Sequence, residues 1–478
     1  MAIRNKKILL IAGAITFVVL AGILALQLNI NAYTPQIEAA VSTALGMDVR
    51  IKGKTEVSIF PGFGLSLKDV NVRSNGLDVA KIEKMRIELN LIQLARFKIE
   101  ITQVGLFKPV ISIIRSTNGL LNSERPVRTP WQRLLAVKGI SVSQGNLVYA
   151  DDASGEKIDA GDIDLSIKYH IPGGTNSAEP FKNMSLSGDI RCKILKINDL
   201  TLMDLVIHAT GEKGIFGINT VGMNIAGGTG KGSFHVDVTG PSPQYKLICN
   251  FNRVRIEELL DLCALNKIPR KTIEGLIDFS ADLTATGQSA DAVKRSLTGN
   301  LSLSGQDLML YNMDIDALIK KYERSQNFNL VDVGAFLLAG PFGPVLTKSY
   351  NFTSLYEESQ GGKGAIKEIV SDWAVNNGIA EARDVALSSK KQRIAMQGGL
   401  NFINERFVDI TIAALDKRGC AVYSEKVSGP FRDPQIEKEN IFMSIAGSVM
   451  NPLKDGWKFL QGKACTPFYT GSVLHPEE

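Results

Sequence analysis

The chain has 478 residues, 44% hydrophobic and 22% charged, with a formal net charge of +5. That apolar content excludes global disorder, and so mild a charge, without a long basic cluster, removes the usual footprint of a nucleic-acid-binding protein. Four histidines and five cysteines leave little raw material for metal or histidine-based catalytic sites.

The first predicted element is a membrane anchor. Ile8 to Leu28 is an uncharged run of 21 residues with Phe17 near its middle. At about 1.5 Å per residue it spans a hydrocarbon layer of roughly 30 Å. Arg4, Lys6 and Lys7 precede it and Glu38 is the first charge after it. The positive-inside tendency then places the N-terminus in the cytoplasm and the bulk of the chain across the membrane. A cleaved leader has a shorter apolar region and a small-residue cleavage site, whereas this run ends in Gln27, Leu28 and Asn29. A short helix follows, with Thr34 as N-cap, Pro35 at its first helical position and Gly46 at its stop. Ile37, Ala40, Val41, Ala44 and Leu45 form its apolar face.

The hydrophobic period then changes from 3.6 to 2. Val57 and Ile59, then Leu65 and Leu67, alternate, and Val70 and Val72 continue with an offset that predicts a bulge or turn near Asp69. Met85, Ile87, Leu89 and Leu91 alternate, as do Phe97, Ile99 and Ile101, with charged or polar residues between them. This pattern predicts an antiparallel meander with one apolar and one wet face. After a linker-like stretch at 125–133 the strands resume with Ile140, Val142, Leu147, Tyr149, Ile163, Leu165, Ile167 and Tyr169, and continue beyond a turn-rich loop at 172–180. Short helices are predicted around Ile256, from Ala290 to Leu297 with Ser289 as its cap, from Ile315 to Tyr322 started by Asp314, and from Ile441 to Met450.

No catalytic constellation emerges. The GGTGKG stretch at 227–232 has Ile225 where a phosphate loop needs its first glycine, and Gly232 where it needs Ser or Thr. It reads as a tight β connection. Asp151, Asp152 and Glu156 surround Gly155 without the spacing of a calcium loop and read as a hairpin turn. His170, His208, His235 and His475 are scattered. In an oxidising compartment the cysteines allow at most two disulfides. Cys420 with Cys465 is the pair to test first, although connectivity does not follow from sequence. Val331 to Leu346 carries a single charge and reads either as a buried segment or as an apolar hairpin in contact with lipid.

The order of these elements resembles the AsmA family of bacterial envelope proteins. The resemblance rests on the anchor with its following helix, PGFGLSLKDVNV at 61–72, the alternating run to Leu91, and Val104-Gly105-Leu106 leading to Pro109, Ile111 and Ile113. It continues in NGLLN at 118–122, in a second unit from Ile140 to Asp152, and in C-terminal stretches at 373–389, 398–402 and 427–434. It implies a long curled β-sheet open along one side, similar to the chorein-type bridge proteins, with an inner face that holds acyl chains. The expected fold is therefore mainly β: an N-terminal transmembrane helix, then an elongated, curled antiparallel β-sheet groove with a few short helices. The expected segments are the anchor (1–30), two β-groove units (31–124 and 125–240), β units with short helices (241–330) and a C-terminal β region ending in an amphipathic helix (331–478).

The expected function is non-enzymatic: an inner-membrane protein, mostly periplasmic, that shields acyl chains and supports outer-membrane lipid homeostasis. Its expected partners are phospholipid or another acyl lipid and the inner membrane, with periplasmic or outer-membrane proteins a further class; no cofactor or nucleic acid is expected. The expected lining is Met85, Ile87, Leu89, Leu91, Phe97, Ile99 and Ile101. A sheet with one apolar face must cover it, and so few helices leave a second sheet, self-closure or lipid as the cover. The rival expectation is an assembly factor for outer-membrane proteins that works through exposed strand edges.

Overall fold

The computed structural model describes residues 30–45, 47–58, 62–74, 76–94, 96, 100–116, 137–170, 180–198, 200–258, 273–311, 314–325, 362–439 and 465–477. These residues are mainly β, with twenty strands and a few short helices. The anchor positions Ile8, Phe17 and Leu28 lie outside the described residues, as do Phe97, Ile99, the 331–346 segment and the helix expected from Ile441. Among the described residues no helix is long and apolar enough to cross a membrane. The chain divides into two compact units, Met1–Asn198 with Met203–Gly214, and Asp199–Leu202 with Ile215–Glu478.

The first unit opens with a 3-10 turn (Ile30–Tyr33) and helix α1 (Thr34–Leu45). Strands β1 (Asp48–Ile51) and β2 (Thr55–Ser58) share one edge of β3 (Gly64–Ser74). Strands β4 (Leu77–Leu89), β5 (Ile101–Arg115), β6 (Gly139–Asp151), β7 (Glu156–His170) and β8 (Ser185–Ile197) then follow, each paired with the one before it.

Two expectations need correction here. The meander is not antiparallel throughout: β5 and β6 are parallel, from Gln103 beside Gly139 to Arg115 beside Asp151. A parallel neighbour needs a crossover of about a dozen residues or more, and the stretch between these strands is long enough to return the chain to the end where β5 began. This pair also joins residues on either side of the expected segment boundary at 124/125. The second correction concerns Leu91, which does not continue β4. Helix α2 (Leu91–Leu94) begins there, because Asn90 accepts hydrogen bonds from the amides of Ile92 (3.1 Å) and Gln93 (3.4 Å). A cap of this kind starts a helical turn.

A line of left-handed residues crosses this sheet. Asp69 on β3 (φ 53°), Lys108 on β5 (48°), Gln144 on β6 (54°) and Asp162 on β7 (55°) each precede a residue of one cross-strand row. Asp69 and Lys108 both stand opposite Glu83 of β4, and Lys108 pairs with it at 3.4 Å. Non-glycine residues adopt this conformation at a cost of roughly 1–2 kcal/mol. Repeated at one level, such residues bend the strands that carry them and increase their twist.

Strand β9 (Leu200–Glu212) straddles the division between the units, and helix α3 (Pro180–Asn183) precedes β8. The second unit is an antiparallel meander: β10 (Ile215–Ile225), β11 (Gly228–Asp237), β12 (Gln244–Arg255), β13 (Ile273–Thr286), β14 (Thr298–Tyr311), β15 (Lys363–Asn376), β16 (Ile379–Ser388), β17 (Arg393–Asn401), β18 (Arg406–Leu415), β19 (Ala421–Pro430) and β20 (Gln435–Glu439). Pairings β11–β12 and β14–β15 cross the expected boundaries at 240/241 and 330/331. Helices α4 (Ala290–Ser296) and α5 (Ile315–Ser325) carry the expected caps. Ser289 accepts from the Ala292 amide at 3.2 Å, and Asp314 from the Ala317 amide at 3.2 Å. The GGTGKG stretch is the predicted hairpin: Ala226 and Gly227 both have positive φ (49° and 73°) between β10 and β11. Such a pair suits a two-residue turn matched to strand twist.

Strands β15 to β18 bury residues on both faces, including Trp373, Leu387, Ile394 and Ile412. Ala386, Ala395 and Ala413 pack under Tyr469 and Val473 of the C-terminal segment 465–477. That segment is tied down by a Cys420–Cys465 disulfide with Cα atoms 6.3 Å apart, the pair singled out from the sequence. Buried Arg393 donates to the carbonyls of Val473 (3.2 Å) and Asp416 (3.1 Å). The Tyr469 hydroxyl donates to Asp384 and accepts from the Val473 amide at 3.1 Å.

Burial, then the hydrogen bond to Asp384, raises the Tyr469 pKa above its ordinary 10.0. A proton held more tightly in the folded state stabilises the fold below pH 10, and that contribution fades as pH rises further. Denaturant unfolding between pH 8 and 11 is expected to show a steeper stability loss for the native chain than for Tyr469→Phe. Parallel pH profiles would remove this role for the phenol.

Candidate apolar binding face

Strand β7 states the pattern most plainly. Ile158, Ala160, Ile163, Leu165, Ile167 and Tyr169 lie on one face, and Asp159, Asp162, Asp164, Ser166 and Lys168 on the other, with Asp162 supplying the bulge between the two halves. Register extends the apolar face sideways. Thr55, Leu67, Met85, Leu106, Val142, Leu165 and Ile190 form one row from β2 to β8. Val57, Leu65, Ile87, Val104, Ile140 and Ile167 form the next. Beyond the bulges, Leu147, Ala160 and Leu195 make a third. Cross-strand neighbours of this kind touch, so the rows form a continuous apolar surface.

One end of that surface is covered by a helix; the rest, Ala160 and Cys192 apart, is only half-buried among the described residues. Over β1 to β4, Ile37 and Val41 of α1 cap a closed cluster of Val49, Ile51, Leu67, Val70, Val72, Ile82, Met85 and Ile87. From β5 to β8 the same face is only half-buried at Val104, Leu106, Ile111, Val142, Leu147, Ile163, Leu165, Ile167, Ile190 and Leu195. The opposite face of β7 and β8 is exposed at Asp162, Asp164, Lys168, Arg191 and Lys193. A filled core would shield both ends of the apolar face alike, since packed interiors leave few gaps.

Two titratable groups on the open face have raised pKa values. Burial raises the pKa of the Cys192 thiol, and burial likewise raises that of the Tyr169 phenol. Both stay uncharged in neutral water and act as apolar surface with a polar tip. His208 sits on β9 paired with Asp189 of β8. No group of residues that could hold a metal ion occurs among the described residues.

The expected lining residues now have places. Met85 and Ile87 lie on the apolar face, beneath α1 in the closed cluster. Leu89 and Ile101 are partly buried at its margin. Leu91 has left the strand and is 57% exposed. Alternation sorts residues between two faces, but periodicity does not report what lies on top of either. Ile140, Val142, Ile163, Leu165 and Ile167 were legible as strand positions but not as parts of the open face. The signal that could have found them is the unbroken alternation of apolar with charged or hydroxyl residues in IDLSIKY.

The second unit has its own open apolar rows. Ile218, Phe234, Leu247 and Leu283 align across β10 to β13, and the first three are among the exposed large hydrophobic residues. Phe234 stacks on Tyr245 (6.4 Å) and Phe251 on Phe279 (6.0 Å) beside them.

A wide apolar surface of this kind can shelter an apolar molecule. A family model described as the AsmA family matches residues 4–179 and 172–340, while no curated protein matches the chain. The match takes in the uncharged run at 8–28, the first unit from residue 4 onward, and β10 to β14; the resembling stretches at 373–389, 398–402 and 427–434 lie beyond it. Matched over more than half its length, the chain belongs to the AsmA family.

Proposed function

We propose that this protein is an envelope lipid carrier, anchored in the bacterial inner membrane through residues 8–28, with both β units in the periplasm. The observation that supports it best is the half-exposed apolar face of β5 to β8, backed by a charged outer face. Water against that surface is unfavourable by roughly 25 cal/mol for each Å². An acyl chain laid over it removes the water, while the headgroup stays in solvent because burying it unpaired is costly. Movement along the face is passive and needs no covalent step. Family membership and the large sheet agree with this reading.

The test is a photo-crosslinker at Leu165 or at Ser166 of the full-length protein in its native membrane. Lipid adducts are expected at Leu165, with little above background at Ser166. Equal adducts at both would sink the face assignment. A purified chain free of lipid, with the face dry and closed, would favour the assembly-factor reading.

A further inference from the structure

Strand direction shows which end of the first unit meets the anchor. The chain runs through β1 and β2 toward Ser58, which pairs with Gly64, and Gly64 in turn with Glu88 near the end of β4. Helix α1 runs the opposite way. Its first residue, Thr34, bonds Thr55 through the two hydroxyls at 3.2 Å, while Ser42, near its end, accepts from the Val49 amide at 2.9 Å. Residues 30–33 therefore continue past Thr55 toward Ser58, and Asn31 already accepts from the Thr55 amide at 2.9 Å. Ile30 sits at the Gly64–Glu88 end of the sheet, one residue beyond Asn29 and two beyond Leu28, where the apolar run stops.

The same end carries α2. Its Leu91 and Ile92 are 57% and 68% exposed, and Tyr33 beside the anchor is 54% exposed. Large apolar side chains this bare are costly in water unless something covers them. Tyrosine favours the membrane–water boundary. Arg96 is exposed just after α2. The acidic residues at this end are neutralised: Glu88 pairs with Arg86 (3.1 Å) and Glu100 with Lys138 (2.6 Å). The surface is thus apolar at its tip, without uncompensated negative charge from either carboxylate.

We propose that this end of the first unit rests on the bilayer that holds residues 8–28, with Leu91 and Ile92 inserted at headgroup level. The occupant is the lipid surface itself. The open apolar face reaches the same end, through Ile140, Ile167, Tyr169 and Leu186. An acyl chain could then pass from bilayer to protein without crossing water. The inference rests on the anchor reading and adds the contact to it.

The test uses the full-length chain in phosphatidylcholine vesicles, with and without dibrominated acyl chains. Tryptophan is introduced at Ile92 or at Leu77. Leu77 is equally bare (58%) but lies at the opposite end of β4. Bromolipid is expected to quench the added fluorescence of Ile92→Trp severalfold more than that of Leu77→Trp. Equal quenching at both would overturn the docking. Release of the protein from membranes by a carbonate wash would overturn the anchor, and the docking with it. Selective quenching at Ile92 in a protein free of bound acyl lipid would keep the docking and reject the carrier reading.

Discussion

Arginine at both Leu147 and Leu165 is expected to strip bound lipid from the protein while leaving it folded. These residues lie in different rows of the open face, and both are half-exposed. A guanidinium there can reach solvent along its own stem. The stability loss should stay near 1 kcal/mol for each substitution. Bound lipid suffers more. Each methylene kept in contact is worth about 0.8 kcal/mol, so displacing three or four costs ~3 kcal/mol, on the order of a hundredfold in affinity. Mass spectrometry of lipid extracted from equal amounts of protein reads this directly. Ser166→Arg, on the wet face of the same strand, should keep its lipid. If the double variant retains lipid at the native ratio, acyl chains are held elsewhere, and the second unit's Phe234 row is the next candidate.

The second large effect concerns the C-terminal clip. Replacing Cys420 and Cys465 together by serine opens a loop with a sequence separation of 45. Loop-closure entropy puts the loss near ~4 kcal/mol. It falls on the packing of Tyr469 and Val473 over Ala386, Ala395 and Ala413. Limited proteolysis is expected to cut 465–477 in the serine variant at protease levels that leave the oxidised native chain intact. Reducing agent should reproduce the effect in the native protein. Identical digestion with and without the disulfide would show that Arg393, Asp384 and the buried side chains hold the segment unaided.

Much of this fold was legible because its strands are half-wet. Alternation in 85–89 and 163–169 appears in sequence only when one face meets water and the other does not. Caps were legible for a similar reason: Ser289 and Asp314 act on amides three residues away, so the whole interaction lies in one short stretch. Three features were not. Leu91 fits the alternation by spacing, yet Asn90 captures two amides and turns the chain. The parallel pairing of β5 with β6 depends on where a long connection comes back, which no local pattern encodes. The cover over Met85 and Ile87 comes from α1, some forty residues earlier in the chain. Whether an apolar face is a core or a lining depends on its neighbours, not on its own residues.

The line of left-handed residues at Asp69, Lys108, Gln144 and Asp162 bears on how such a chain can change over evolution. Four of the five strands from β3 to β7 hold their own bend, β4 being the exception, so most of the curvature is set within single strands rather than by a partner element. A duplicated hairpin brings its bend with it and extends the apolar surface without redesign of what is already there. Substitution at a single bulge alters the bend of one strand and leaves the others as they were. Within the first unit, the width and the bend of the apolar face are therefore separately heritable: strand number sets the first, and a handful of backbone angles sets the second.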